Sequence, residues 1–308
     1  MLVIKMWFNR MPLEIWFNQH QYEIEYDIGE SSVKYSSLGD LDVNLEDLPL
    51  RYGYHKGKPE LRRKISEIYD NLGPENILVT NGASEALFDI EATILKPGDQ
   101  VIVAHPNYSS NYEVPRSLGC KVKFLNLEYD KKFKIDYNKL KDLIKPRTKL
   151  VSLTYPNNPT GAKISLETLK DIIDLIEKND TYLLFDETYR ERSFDNKIPP
   201  AATLSSNIIS VSSMSKAFGL PGIRIGWLAT QDKSMIESVL ATREQVSICN
   251  SAFGEHIALN VLKDREKILE NKRKHAQENL KVVDNWMKDQ NNIEWIKPDA
   301  GVVAFPKI

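Results

Sequence analysis

The chain has 308 residues, of which 42% are hydrophobic and 27% charged, so it can bury a large core and does not read as a disordered or fibrous protein. Its 41 basic and 43 acidic side chains leave a formal net charge of −2, which provides no broad positive field to attract nucleic acid. We therefore expect a globular protein with no nucleic acid partner.

The N-terminal stretch, residues 1–19, mixes its apolar residues with Lys5, Arg10 and Glu14, and has no apolar run long enough for a signal sequence or a membrane span. Cys120 and Cys249, the two cysteines, are too far apart for a metal knuckle and too few for a disulfide framework. The histidines show no metal-binding pairing. These observations predict a cytoplasmic protein with reduced thiols, no metal and no membrane partner.

Seven short β-rich runs alternate with helical patterns, which is typical of a mainly parallel sheet covered on both faces by helices. The runs are 77–80, 101–105, 121–125, 149–155, 181–186, 208–213 and 223–229. Helices are predicted at 83–95 and at 165–178, where apolar residues recur at helical spacing. The pattern predicts an α/β fold with a seven-stranded, mainly parallel sheet.

The segment 255–290 has a different character, because it lacks Gly and Pro and repeats apolar residues every three or four positions. We expect one long or two abutting amphipathic helices there. A coil at 296–301 then leads to the apolar run 302–305, which we expect to begin a strand.

Lys216 follows the run 208–213 in a Ser- and Gly-rich turn, with Arg224 eight positions further on. Open α/β sheets place their ligands at such strand ends. A lysine in this position can be partly desolvated, which favours the neutral, nucleophilic amine that forms a Schiff base.

Other interpretations of this turn are weaker. A lysine considered alone is most often a surface charge. Ser213 and Lys216 also spell the S-x-x-K motif of β-lactamases and penicillin-binding proteins, but the SDN and KTG partners of that motif are missing. The glycine spacing fits neither a P-loop nor a dinucleotide-binding loop.

Five short motifs in the chain occur in the order found in one enzyme family. They are GASEA (82–86), PNY (106–108), NNPTG (157–161), DETY (186–189) and SMSK (213–216) with Arg224. From about Ile28 onward the sequence resembles the class I/II aminotransferases, which are pyridoxal-phosphate (PLP) enzymes of the aspartate aminotransferase fold, fold type I. The segment around Lys216 is most similar to histidinol-phosphate aminotransferases.

The resemblance implies that the chain is divided into three parts. Residues 1–42 would form an N-terminal arm and part of a small α+β domain, residues 43–256 a large PLP-binding domain, and residues 257–308 the rest of the small domain, which we expect to be incomplete. The family's C-terminal arginine, which binds the substrate carboxylate, has no counterpart in this sequence. The sequence alone does not assign that role to Arg51, Arg62 or Arg190.

The resemblance also implies how the phosphate of the coenzyme would be bound. The backbone at the start of a helix and nearby hydroxyl and guanidinium groups suit a phosphate. The matching positions are Gly82, Ala83, Ser84, Ser213, Ser215 and Arg224. Tyr52 resembles the tyrosine that reaches the phosphate of the neighbouring subunit, which implies a homodimer.

The coenzyme ring has its own matching residues. Asp186 would hold the protonated ring nitrogen, Tyr189 and Asn158 would hydrogen-bond the phenolic oxygen, and Tyr108 would stack on the ring. Taken alone, Asp186 is equally consistent with a helix N-cap, NNPTG with a turn, and Tyr108 or Tyr52 with the edge of a core. The expected catalytic residues are Lys216, Asp186 and Tyr189.

The function implied is transfer of an amino group from an L-amino acid to a 2-oxo acid through a Schiff base on Lys216, in amino acid metabolism. The alternatives are another PLP reaction, by a decarboxylase, a lyase or an oxidase or cyclase of guanidino amino acids, and a non-catalytic PLP-binding relative. Residues 12–38 are faintly similar to the N-termini of capreomycidine-synthase-like enzymes. The identity of the amino acid is left open.

Overall fold

A seven-stranded sheet forms the centre of the computed structural model, which describes residues 8–194 and 197–308. The strands are β1 (Ile77–Thr80), β2 (Gln100–His105), β3 (Lys121–Asn126), β4 (Thr148–Thr154), β5 (Tyr182–Asp186), β6 (Ile208–Ser213) and β7 (Gly226–Ala229). Their order across the sheet is β1-β7-β6-β5-β4-β2-β3. Strand β7 runs antiparallel to both of its neighbours and the other pairs are parallel. The predicted fold class is confirmed.

Helices cover both faces of this sheet, as expected from the alternating pattern. The helices are α1 (Pro12–His20), α2 (Pro59–Ser66), α3 (Ala83–Ile94), α4 (Ser110–Ser117), α5 (Tyr137–Leu143), α6 (Leu166–Lys178), α7 (Lys233–Arg243), α8 (Ala252–Lys263) and α9 (Arg265–Lys288). Val101 and Val103 of β2 pack in one apolar cluster with α3 and α7. Ile102 and Ala104, on the opposite face of the same strand, pack with α5 and α6.

Local sequence signals explain where several helices begin. The Ser165 hydroxyl accepts the Thr168 N–H ahead of α6, and the Asp232 carboxylate accepts two N–H groups ahead of α7. Such caps satisfy N–H groups that have no partner within the helix. At the sheet edge, β3 is largely exposed and carries Lys121 and Lys123, charges that oppose further strand pairing.

The predicted helical segment 255–290 is two abutting helices, α8 and α9, which meet at Asp264. The prediction of a strand at 302–305 is wrong. The β pairing that the structure shows near this run is an isolated bridge between Glu294 and Lys307. A strand needs a neighbour with which to pair, and no described strand lies beside it.

Most strand bounds lie within one residue of the prediction, and two further features differ from it. Strand β7 begins at Gly226 and not at residue 223, because Pro221–Ile223 form a short 3-10 turn and Arg224 has a left-handed backbone, with φ of 52°. Helix α1 was not predicted and buries none of its side chains.

Lys5 lies outside the described residues. Among the helices that the structure describes, none is long and apolar enough to cross a membrane. The three-part domain division stays a prediction.

Candidate active site

A large cleft of about 1220 Å³ lies where β5 and β6 end and α3 begins. All predicted site residues except Gly82 and Tyr52 line it. They come from segments far apart in sequence that the sheet brings to one edge, as parallel topology requires. The cleft is large enough for a coenzyme and a small substrate together.

One corner of the cleft is built around the start of α3. Strand β7 passes so close that a Cβ added at Gly226 would lie 2.6 Å from the backbone nitrogen of Ala83. Gly82, with φ of 84°, has room only for a hydrogen, because a Cβ there would lie 2.5 Å from Nη2 of Arg224. These contacts place a guanidinium beside the first N–H groups of a helix, an arrangement that suits an anion.

Hydrogen bonds hold the charged groups of this corner in place. The Arg224 guanidinium donates to the carbonyl oxygens of Asn81, at 3.2 Å, and Pro221, at 3.0 Å. Glu85 accepts the backbone N–H of Asn81 and pairs with Nε of Arg243 at 3.3 Å, so its negative charge is offset near the helix start. The sequence reasoning missed Glu85 and Arg243 as supports of this corner.

Two serines of the turn after β6 face the same corner. Ser213 and Ser215 are both buried, and the Ser215 N–H donates to Oγ of Ser213 at 3.3 Å. Ser84 and Ala83 line the cleft at the first turn of α3. Together with Arg224, these residues supply backbone, hydroxyl and guanidinium donors, which is the donor set that a phosphate needs.

Asp186, the last residue of β5, places a buried carboxyl group at the base of the cleft. Burial raises its pKa, and the hydrogen bond that it accepts from the Thr188 N–H opposes that rise. No described cation forms an ion pair with it, so a cationic ligand group would complete the pair. Its Oδ1 accepts the Thr188 N–H at 3.0 Å and caps no α-helix, so the N-cap interpretation is wrong.

Tyr189 and Asn158 meet above Asp186. Nδ2 of Asn158 donates to the Tyr189 hydroxyl over 3.4 Å, and that hydroxyl donates to the carbonyl of Ser31 at 3.1 Å. Burial raises the pKa of Tyr189, which keeps its hydroxyl protonated. Tyr108 lines the cleft from the segment after β2 and is half-buried.

Lys216 also lines the cleft, and it has a partner that the sequence did not reveal. Its Nζ lies 2.9 Å from Oε1 of Glu30, and both side chains are about three-quarters removed from solvent, with 27% and 25% exposed. No pattern around Glu30 marks it, since it stands in a short polar run far from Lys216 in sequence.

Tyr52 does not reach the cleft within this chain. Its side chain is 81% exposed, and the next residue, Gly53, donates its N–H to Sγ of Cys249. Its predicted role toward a neighbouring subunit therefore stays a prediction. Both cysteines are free, as expected.

The residues of the cleft fit pyridoxal phosphate. The corner at α3 suits the phosphate, the buried and unpaired Asp186 suits a cationic ring nitrogen, and Lys216 offers an amine for an aldehyde. The fold and this donor set define a PLP-dependent enzyme of fold type I.

Comparison with known proteins identifies the family. Residues 45–308 match the family model described as aminotransferase class I and II. The crystal structure of a PLP-dependent aminotransferase from Streptococcus suis is similar, with a TM-score of 0.90 and 33% identity, and the match covers 96% of this chain and 81% of that one. The chain belongs to the class I and II aminotransferases, which use pyridoxal phosphate, and it is a transaminase.

Two curated relatives differ in their reported reactions. A probable aspartate aminotransferase of Methanocaldococcus jannaschii is 29% identical over 86% of this chain and 72% of its own length. Capreomycidine synthase of Streptomyces vinaceus is 27% identical over 96% of this chain and 79% of its own length. The relatives thus leave the substrate of this chain open.

Proposed function

We propose that the cleft binds pyridoxal phosphate on Lys216 and transfers the amino group of an L-amino acid to a 2-oxo acid. The observation that carries this proposal is the convergence of Lys216, Asp186 and Arg224 on one cleft. Asp186 ends β5, Lys216 follows β6 and Arg224 precedes β7, and each is a group that one part of the coenzyme requires.

The remaining residues would hold the coenzyme in a fixed orientation. Gly82, Ala83 and Ser84 at the start of α3, with Ser213, Ser215 and Arg224, would bind the phosphate. Asn158 would donate to the phenolic oxygen, and Tyr189 would do the same by turning its single hydroxyl proton from the Ser31 carbonyl to that oxygen. Tyr108 would pack on the ring face. The hydrogen bond from the Thr188 N–H would keep Asp186 oriented for the ring nitrogen.

When bound, pyridoxal phosphate supplies an aldehyde that captures amines and a protonated ring that accepts an electron pair. Lys216 would carry out the proton transfers, because its Nζ can accept the α-proton of the amino acid and later donate it back. Asp186 holds the proton on the ring nitrogen by charge. Tyr189, which is buried, orients the ring and excludes water from it.

A homodimer would complete the site through Tyr52. Large exposed apolar side chains lie near this tyrosine on two segments that contact each other, and they are Leu50, Tyr54, Val246, Ile248 and Phe253. Contact between the segments is shown by the Gly53–Cys249 bond and by the pair of His55 with Glu244. Exposed apolar patches of this kind mark protein interfaces. The free cysteines support a reducing, cytoplasmic location.

A half-reaction tests the proposal. The purified protein is loaded with pyridoxal phosphate and mixed with single amino acids, including aspartate and arginine, without an oxo acid. We expect conversion of the coenzyme absorbance to the amine form and one equivalent of oxo acid. Oxygen uptake, release of CO₂ or ammonia without this conversion would favour another PLP reaction, and no response to any amino acid would contradict the proposal.

A further inference from the structure

Glu30 contacts the reacting atom of the proposed mechanism, yet none of the coenzyme-binding roles involves it. Its Oε1 lies 2.9 Å from Nζ of Lys216. The segment that carries it, residues 27–35, is referred to below as the arm. The arm crosses the cleft beside Lys216 and Tyr189.

Several hydrogen bonds fix the arm, so the Glu30 carboxylate does not reach Lys216 by chance. Oδ1 of Asp27 accepts the N–H groups of Gly29 and Glu30, at 2.9 and 3.0 Å. On the far side of Glu30, Oγ of Ser32 donates to the carbonyl of Ser215 at 3.1 Å. The arm is therefore attached to the turn that carries Lys216 itself.

One more contact holds the arm in place. The Tyr189 hydroxyl donates to the carbonyl of Ser31, the residue after Glu30. Burial first, and then the Glu30 carboxylate, raise the pKa of Tyr35. The Glu30 carboxylate is thus held beside Lys216 by a segment that is attached on both sides of it.

Among the mostly buried charged side chains that line the cleft, Glu30 has no coenzyme group assigned to it under the proposed function. The ionisable acid and base side chains along the described lining are Arg10, Glu14, Glu30, Asp186, Lys216 and Arg224. Under the proposed function, Asp186 serves the ring nitrogen and Arg224 the phosphate. Glu14 and Arg10 are exposed, whereas Glu30 is mostly buried and touches Lys216.

We propose that Glu30 is a further catalytic residue, whose carboxylate stabilises the ammonium form of Lys216 that arises during proton transfer. This inference rests on the proposed function. When the α C–H bond of the amino acid breaks, its proton goes to Nζ of Lys216 and the electron pair passes to the coenzyme ring. Nζ thereby changes from a neutral amine to a cation directly beside a fixed carboxylate, which lowers the energy of that step. The same proton is then returned to the aldehyde carbon of the coenzyme.

The test compares Glu30→Gln, which keeps the shape but removes the charge, with Glu30→Asp and with the control Glu167→Gln, at an exposed position of α6 outside the cleft. We expect Glu30→Gln to slow the half-reaction about 10- to 100-fold and to raise the isotope effect with α-deuterated amino acid. Glu30→Asp should recover part of the rate, and Glu167→Gln should match the unmodified protein. A Glu30→Gln protein with an unchanged rate and isotope effect would overturn the inference.

A second measurement does not depend on catalysis. The coenzyme-free proteins are treated with acetic anhydride at neutral pH, and acetylation of Lys216 is compared with that of exposed Lys233 by mass spectrometry. A paired ammonium is a poor nucleophile, so Glu30→Gln should increase Lys216 acetylation several-fold and leave Lys233 unchanged. Equal acetylation of Lys216 in both proteins would contradict the inference even if Glu30→Gln bound the coenzyme poorly. Failure of the proposed function would be seen differently, as an unmodified protein that responds to no amino acid.

Discussion

The two walls of the cleft are built differently. The wall formed by strand ends carries Asp186 and Ser213, which are 5% and 1% exposed and are fixed by the strands that end there. The opposite wall, formed by α1 and the arm, carries Leu13 and Ile28, which are 52% and 99% exposed. The residues assigned to the coenzyme are thus placed at the sheet, and the opposite wall is assembled from more exposed segments that hydrogen bonds attach to it.

The largest expected effect lies on the sheet wall. Lys216→Ala removes the amine that captures the coenzyme and moves the α-proton, so we expect at least a ~10³-fold loss of the half-reaction rate. Lys233→Ala is the control, because Lys233 is exposed and its pair with Glu75 contributes little. Stopped-flow absorbance measures both, and near-normal rates in Lys216→Ala would show that another lysine does this work.

The next test removes one charge from the same wall. Asp186→Asn keeps the acceptor for the Thr188 N–H but cannot hold a proton on the ring nitrogen, so we expect the rate to fall by about 10²-fold. Because burial raises the pKa of Asp186, its charge destabilises the coenzyme-free fold, and the variant should be at least as stable at pH 7.

The matched control for this variant is Asp180→Asn, an exposed position just before the other end of β5. Rates are measured in the half-reaction, and stability by urea denaturation of the coenzyme-free proteins. A normal rate in Asp186→Asn, or a large loss of stability, would assign Asp186 a structural role.

The sheet wall also depends on a backbone contact that one methyl group should disturb. In Gly226→Ala the new Cβ would push the start of α3 away, so we expect a loss of about 1–3 kcal/mol in the free energy of unfolding. Coenzyme affinity should fall about tenfold, because the phosphate corner widens. Gly222→Ala, where a Cβ meets nothing within 4 Å, should change neither quantity appreciably. Equal behaviour of the two variants in denaturation and coenzyme titration would refute this account of the corner.

A smaller effect, on the pH dependence of stability, is expected at Glu187, which follows Asp186 in the chain and is also buried. Burial raises the pKa of Glu187 to about 7. The folded protein therefore holds a proton that the unfolded chain has lost, and stability falls as the pH rises from about 4.5 to about 7. The loss is at most about 3 kcal/mol.

Glu187→Gln should remove that part of the pH dependence, whereas Glu278→Gln, at an exposed position of α9, should not. Unfolding free energies of the coenzyme-free proteins at pH 5 and pH 8 give the comparison. An unchanged difference between the two pH values in Glu187→Gln would show that Glu187 is ionised throughout.

The sequence predicted the sheet wall well because its signals are local. Strands β1 and β6 have the predicted bounds. Asp186 ends β5 and Lys216 follows β6, so the predicted strands were enough to place both residues at the same edge of the sheet. Only β7 was misplaced by more than one residue, since the turn at Pro221 and the left-handed Arg224 are not visible in an apolar run. The expected strand at 302–305 failed because strand formation depends on a partner as well as on composition.

The arm could not be predicted in the same way. Glu30 and Lys216 are 186 positions apart, and their contact depends on how the arm crosses the finished fold. Helix α1, which buries no side chain, gives no periodic apolar signal that separates it from a coil. Residues that act across such a contact are found from the structure.

The most direct test of the central claim is to load the protein with pyridoxal phosphate, reduce it with borohydride and map the modified peptide by mass spectrometry. The account predicts one stable adduct, on Lys216. An adduct on any other lysine, or a protein that retains no coenzyme after reduction, would contradict it.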